Sequence, residues 1–248
     1  MTGFVSYSTY SRELALNETF ESYVELRRLA RDVFAAYRDG RLRQGKIYPI
    51  TDFKKRDYVT IGGIFEANIG VFYQEKEGRD DAYGSFMSPK LDKHGNRVDV
   101  SSTTEYGDGV LIVHKLNVPT ILHELEHAYD SFRSGGKFTV SRGAQDFFAE
   151  MGKNRIVGRD EIPNIVDKRR KLYYRAPHEL SAFFVQAVDG IDFFYDEAET
   201  VFRDFRDVHD EFKEKMKGYK YLTPKIQRDL ARKLSQYYYR IREGDAEE

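Results

Sequence analysis

Cysteine is absent from the 248-residue sequence, which excludes disulfide bonds and thiol catalysis and is typical of a reducing compartment. No run approaches the ~20 apolar residues that span a bilayer, and the first residues lack the basic and apolar regions of a secretory signal. Lys and Arg number 40 against 41 Asp and Glu, so the net charge is −1 and no broad attraction to nucleic acid is expected. We therefore expect a cytoplasmic protein that binds neither membranes nor nucleic acid.

The segment TILHELEHAYD contains an HExxH pattern. On a helix, positions four apart lie on one face, so His123 and His127 can present two imidazole nitrogens to one tetrahedral ion. Glu124 is offset from both, which suits a general base that takes a proton from a metal-activated water without binding the metal. Apolar residues recur around the pattern at helical spacing, with Asn117 and Pro119 before it and two glycines at 135–136 after it. The pattern predicts a zinc-binding helix, although it also arises by chance in unrelated chains.

A catalytic zinc takes three protein ligands, so a third must come from elsewhere in the chain. The extended HExxHxxGxxH pattern needs a glycine and a histidine where this sequence has Asp130 and Arg133, which excludes that class. A later segment, YYRAPHELSAFF, starts a second helical pattern at Pro177. It offers both His178 and Glu179, and ligand chemistry alone does not choose between them.

The order of these two segments, HELEHAYD and then YYRAPHELSAFF, resembles the gluzincin branch of zinc metallopeptidases, in particular small peptidase-like proteins encoded by tailed bacteriophages. The resemblance covers about residues 109–185. It implies a zincin-like fold, Glu179 as the third zinc ligand, and Ala182 as a small residue that lets two helices approach. It also implies a peptide or protein substrate and, for a phage-encoded protein, a place in the cytoplasm of a bacterial host or on the virion. The interval between His127 and Glu179 is longer than is typical of thermolysin-like enzymes.

Further side chains are candidates for roles around the zinc. Asp130 follows His127 by three residues and could accept that ring's second N–H, or it could be a surface carboxylate. Peptide hydrolysis also requires a donor to the developing oxyanion, for which Tyr173, Tyr174 and His209 are candidates. Each of these three could equally be a packing or surface residue, since the chain has 18 tyrosines.

Apolar periodicity predicts one α+β domain over residues 1–248, with enough hydrophobic residues, 40%, for a core. An opening helix is expected from Asn17 to Gly40, followed at about residues 46–116 by a mostly antiparallel sheet. The predicted strands are 58–65, 69–73 and 109–116. The last of these strands carries His114, which we expect to be a core histidine with its hydrogen bonds satisfied.

Two helices are predicted near the end of the chain. Apolar residues recur at helical spacing between Phe194 and Met216 and again between Ile226 and Ile241, with Thr223 and Pro224 before the second set. We expect a helical extension at about 192–243, arranged as an antiparallel hairpin, and a frayed acidic tail at 244–248. A short helix is also expected at 144–151, within a polar segment that would either wall a substrate cleft or wrap the structure.

The function that the sequence favours is therefore that of a zinc metallopeptidase. A first alternative is a structural or virion-associated protein that keeps a zincin-like fold without catalysis. Its surface aromatic residues and C-terminal hairpin would then form self-association or assembly contacts. A second alternative is a structural zinc that only joins two helices, in which case metal removal should unfold the protein.

Overall fold

A computed structural model describes residues 19–75, 84–87, 106–133, 173–175, 177–191 and 204–243. Within these ranges the protein is α+β, with six helices and a small mixed sheet. The chain divides into two compact units, one containing the described residues between Thr19 and Phe138 and the other those between Thr139 and Glu248. The expectation of a single domain stays a prediction. The predicted helix at 144–151, the glycine pair at 135–136 and the tail at 244–248 lie outside the described residues.

The opening helix of the first unit, α1, spans Phe20–Arg38 and confirms the predicted helix. It begins where the Thr19 side chain accepts a hydrogen bond from the Ser22 backbone N–H at 3.2 Å. It ends before Gly40, whose φ of 71° lies in the left-handed region that glycine adopts most easily. One face of α1 carries the fully buried Leu26 and Leu29, so the helix contributes directly to the core of this unit.

The sheet has four strands in the order β1-β2-β4-β3. The strands are β1 Ile47–Pro49, β2 Ile69–Tyr73, β3 Gly84–Met87 and β4 Gly109–Val113. The central strands β2 and β4 pair in parallel, whereas β1 pairs with β2 and β3 with β4 in antiparallel fashion. The sheet is therefore mixed, with two antiparallel pairings of three. In both central strands four of five residues are buried, as expected of strands covered on both faces.

The predicted strand at 58–65 is wrong. Residues 58–62 form a bent loop, and Gly63–Glu66 form a short helix, α2. The cause is Glu25 on α1, whose carboxylate accepts hydrogen bonds from the backbone N–H groups of residues 59–61 at 2.8 to 2.9 Å. Because these N–H groups already have partners, they are not available for a strand ladder. The β-branched residues of the segment favour a strand, but a distant carboxylate determines its conformation.

The prediction of a core histidine at position 114 is also wrong. Strand β4 ends at Val113 rather than at Leu116, and His114 follows it with a half-exposed ring. The Nδ1 atom of His114 lies 2.9 Å from the Gln74 carbonyl oxygen. The ring thus contacts the backbone beside the end of β2, and its polar contact is made at the surface of the sheet.

The HExxH segment forms α3, Val118–Arg133, which confirms the predicted helix. Its start is fixed by Asn117, whose side-chain Oδ1 accepts a hydrogen bond from the Thr120 backbone N–H at 2.8 Å. Every residue from Thr120 to Ser131 is buried, including those on the polar stripe. Within its unit α3 packs against α1, β3 and β4. A helix buried on all sides that also carries charged side chains is unusual for a structural element and points to a site.

The second unit contains α4 Pro177–Asp189, α5 Phe205–Lys215 and α6 Pro224–Arg242. Pro177 and Pro224 stand at helix starts as predicted, and the Thr223 side chain accepts a hydrogen bond from the Ile226 backbone N–H at 3.3 Å. The helix expected from Phe194 begins, among the described residues, at Phe205.

Aromatic side chains hold the three long helices of this unit together. Phe184 of α4 is fully buried, with its ring centroid 5.5 Å from that of Phe212 on α5 and 5.3 Å from that of Tyr237 on α6. Phe205, the first residue of α5, lies 5.4 Å from Tyr238 near the end of α6. The start of α5 thus contacts the end of α6, which confirms the predicted antiparallel hairpin. Among the described helices, none combines the length and apolar character that a membrane span requires.

Candidate metal centre

His123 and His127 lie one turn apart on α3 with their rings facing the same side. Their Nε2 atoms are 3.2 Å apart, and the ring planes are nearly perpendicular, at 89°. Both side chains are buried, with exposed fractions of 8% and 7%. The helix therefore presents two imidazole nitrogens at one place, as the spacing predicts.

The separation of these nitrogens can be compared with that of two zinc ligands. A tetrahedral zinc ion with Zn–N bonds of 2.0–2.1 Å holds two nitrogens about 3.3 Å apart. The observed 3.2 Å is close to this value, so the spacing of the two nitrogens suits the binding of one ion. The same distance also suits an N–H···N hydrogen bond between neutral imidazoles, so the pair alone does not decide between a metal site and a structural contact.

Glu179 is the third residue of α4 and is also buried, with an exposed fraction of 8%. Glu179 belongs to the second unit, so its role as third ligand beside the histidine pair of the first unit stays a prediction. Two imidazoles and one carboxylate are a common ligand set of catalytic zinc. The side chain of His178, the other candidate for third ligand, lies outside the described part of the chain.

Glu124, the predicted general base, is buried with an exposed fraction of 5%. Its side chain extends towards β3. A Cβ atom built on Gly84 of that strand would lie 2.8 Å from Oε1 and from Cγ of Glu124. The Glu124 carboxylate therefore lies directly against the backbone of β3, which is one of the two edge strands of the described sheet.

Two further carboxylates of α3 are buried beside the HExxH residues. Asp130 has an exposed fraction of 6%, which argues against its interpretation as a surface carboxylate. Glu126 is completely buried, and sequence reasoning missed it. The only signal in the sequence is that Glu126 follows Leu122 by four residues and so borders the apolar face of the helix. Buried carboxylates are unfavourable unless they are paired or bind a cation, so each of these groups needs a partner inside the protein.

The predicted oxyanion donors Tyr173 and Tyr174 belong to an aromatic cluster of the second unit. The Tyr174 ring stacks on Tyr221 at 5.6 Å with an interplanar angle of 5°, and it lies 5.3 Å from the ring of Phe183. Tyr173 contacts Tyr174 and Phe183 and is 44% exposed. These contacts account for Tyr174 as a packing residue, while the role of either tyrosine towards an oxyanion stays a prediction.

His209, the remaining candidate donor, lies on α5. Its ring stacks on Phe205 with a centroid distance of 6.0 Å and an interplanar angle of 10°. Burial lowers the pKa of His209, and the positive charge of Lys213 lowers it further. The ring is therefore neutral at pH 7, and its observed contacts are those of a residue that packs within the hairpin.

Comparison of the chain with protein-family models, with curated proteins and with solved structures finds no match. Evidence for the function therefore comes from the residues of the site and their geometry.

Proposed function

We propose that this protein is a zinc-dependent hydrolase, a metallopeptidase with a zincin-like fold of the gluzincin type. The observation that carries the proposal is the 3.2 Å separation of the His123 and His127 Nε2 atoms on a buried HExxH helix. In the proposal, a carboxylate oxygen of Glu179 completes a three-ligand set with these two rings. Three protein ligands leave one position of a tetrahedral ion open, which distinguishes a catalytic zinc site from a closed structural one.

The donor set fits zinc, since imidazole nitrogens and a carboxylate oxygen are ligands that this ion prefers. Bound zinc would lower the pKa of a water molecule towards neutrality and polarise the carbonyl of the scissile bond. In the proposal, Glu124 takes the proton of the attacking water and returns it to the leaving amine. Asp130 accepts the second N–H of His127 and so fixes the orientation of that ring. Tyr173 or Tyr174 donates to the oxyanion.

A peptide or protein substrate is supported by the position of β3. In the described sheet β3 is one of the two edge strands, and Glu124 lies against its backbone. An extended peptide can pair with such an edge through main-chain hydrogen bonds, which would bring its carbonyl groups close to the base. The resemblance to phage-encoded peptidase-like proteins places the protein, within this proposal, in a bacterial host cytoplasm or on a virion.

A non-catalytic structural or virion-associated role is the second candidate. It is favoured by large aromatic side chains at the surface of the second unit, where Tyr173 is 44% and Tyr239 50% exposed. Such residues are common in assembly contacts. In this role the histidine pair would be a structural contact or a structural zinc site.

The proposal is tested by hydrolysis of a fluorogenic peptide library with the zinc-loaded protein. Glu124→Gln should keep the melting temperature and lower kcat by about 10²- to 10⁴-fold, the usual contribution of a general base. Glu66→Gln, at an exposed position of the same unit, is the matched control and should keep full activity. Full activity of Glu124→Gln would exclude Glu124 as the base, and a wild type that cleaves nothing would favour the structural role.

A further inference from the structure

Gly84, the first residue of β3, occupies a position where no side chain fits. A Cβ atom at this position would lie 2.8 Å from Cγ and Oε1 of Glu124 and 3.1 Å from its Cδ. Real Cβ atoms essentially never approach a heavy atom more closely than 3.0 Å. The Glu124 carboxylate thus fills the space that the side chain of any other residue at position 84 would need.

We propose that Gly84 is a positioning residue for the base: its missing side chain lets the Glu124 carboxylate lie against β3 in the orientation that proton transfer requires. The inference rests on the proposed role of Glu124. It adds a residue that the sequence pattern does not mark, since Gly84 lies about 40 residues before the HExxH segment.

The effect of a side chain at position 84 falls mainly on Glu124 because the neighbouring groups are less free to move. The backbone of β3 is paired with β4, with Gly84 opposite Val113. The backbone of α3 is held by a helix that is buried from Thr120 to Ser131. The three nearest atoms all belong to the Glu124 side chain, whose end can turn away by rotation about single bonds. A methyl group at position 84 should therefore leave the fold intact and displace the carboxylate.

Gly70 on β2 provides a matched control. A Cβ atom there would also be crowded, at 2.8 Å from Ile47 Cγ2 and from the Tyr106 ring, but it would not meet Glu124. Gly70→Ala therefore introduces the same methyl group into the same sheet at a comparably tight position. It should lower stability without changing the kcat of the folded protein.

The first measurement is steady-state hydrolysis by the zinc-loaded full chain. A misplacement of about 1 Å at a reacting group can reduce the rate about 100-fold. Gly84→Ala should therefore lower kcat by roughly that factor, with KM changed less than about threefold, while Gly70→Ala keeps the wild-type kcat. Wild-type kcat for Gly84→Ala would overturn the proposal.

The second measurement needs no activity and is made on the metal-free protein. Gly84→Ala should lower Tm by roughly 2–10 °C in the wild-type background, as expected for overpacking in a chain of this size. In the Glu124→Ala background, where the crowded atoms are gone, the same substitution should leave Tm unchanged or raise it. Equal losses in both backgrounds would show that Gly84 does not act through Glu124. If the two backgrounds differ as expected but the wild type hydrolyses nothing, the proposed function fails while the contact between Gly84 and Glu124 stands.

Discussion

Glu25 should be one of the most important single side chains for the stability of the first unit. Its Oε1 accepts a hydrogen bond from the Val59 backbone N–H, and its Oε2 accepts from those of Thr60 and Ile61. Replacing Glu25 by Ala removes all three acceptors at once. Replacing it by Gln keeps one oxygen acceptor and turns an NH₂ group towards the other N–H groups.

The expected loss follows from the exposure of the three bonds. The bonds from Val59 and Thr60 are exposed, so water can replace the carboxylate, and each should contribute only about 0.5 kcal/mol. The bond from Ile61 is partly buried, and a charge-assisted bond there should contribute about 1.5 kcal/mol. Glu25→Ala should therefore lower the free energy of unfolding by about 2–3 kcal/mol, which corresponds to a Tm lower by about 4–12 °C. Glu25→Gln should lose roughly half as much.

Urea unfolding followed by circular dichroism measures these differences. Glu66→Ala is the control, since Glu66 is an exposed glutamate of the same unit and its replacement should change the free energy of unfolding by less than about 0.5 kcal/mol. A loss for Glu25→Ala no larger than that of Glu66→Ala would refute the reasoning. It would mean that the loop at residues 58–62 is held by its own packing rather than by the carboxylate.

Two further predictions concern buried polar groups. Tyr58 is buried and donates a hydrogen bond to Asp32 at 2.9 Å, so Tyr58→Phe should lower the free energy of unfolding by about 1–3 kcal/mol. Tyr48→Phe is the control, because it removes only an exposed contact and should lower the free energy of unfolding by less than about 0.5 kcal/mol. Equal urea midpoints for the two variants would contradict this prediction. Burial lowers the pKa of His209 below its value in the unfolded chain, so the stability it contributes is present above about pH 6.5 and lost as the pH falls through the lower folded-state pKa. NMR titration of the His209 ring should give a pKa below 6.5. Between pH 7 and pH 5, the free energy of unfolding should change less for His209→Gln than for the wild type. A ring pKa at or above 6.5 would contradict this prediction.

The helices were predictable from the sequence because their signals are local. The opening helix, the HExxH helix and the last helix, which begins at Pro224, each carry apolar residues at helical spacing and a capping or proline residue at the start. The position of Asn117 as a cap and the pairing of His123 with His127 follow from the same local geometry. A helix fixes the relative placement of residues four apart, so this part of the site can be inferred without a structure.

The sheet was less predictable because strand pairing depends on distant parts of the chain. Nothing in β2 or β4 alone indicates that they pair in parallel, and the edge position of β3 depends on that pairing. The loop at 58–62 was mistaken for a strand because Glu25, more than 30 residues earlier, holds its N–H groups. The burial of Glu126 and the contact of Gly84 with Glu124 were missed for the same reason, since both depend on what packs against α3.

The metal content of the purified protein, measured by inductively coupled plasma mass spectrometry, tests the central claim most directly. The wild type should hold about one zinc per chain, and Glu124→Gln and His178→Ala should keep it, because neither residue is a ligand in the proposal. Glu179→Ala should lose the zinc while its circular dichroism spectrum stays that of the wild type. A well-folded wild type without zinc, or a Glu179→Ala variant that binds zinc as tightly as the wild type, would contradict the proposed site.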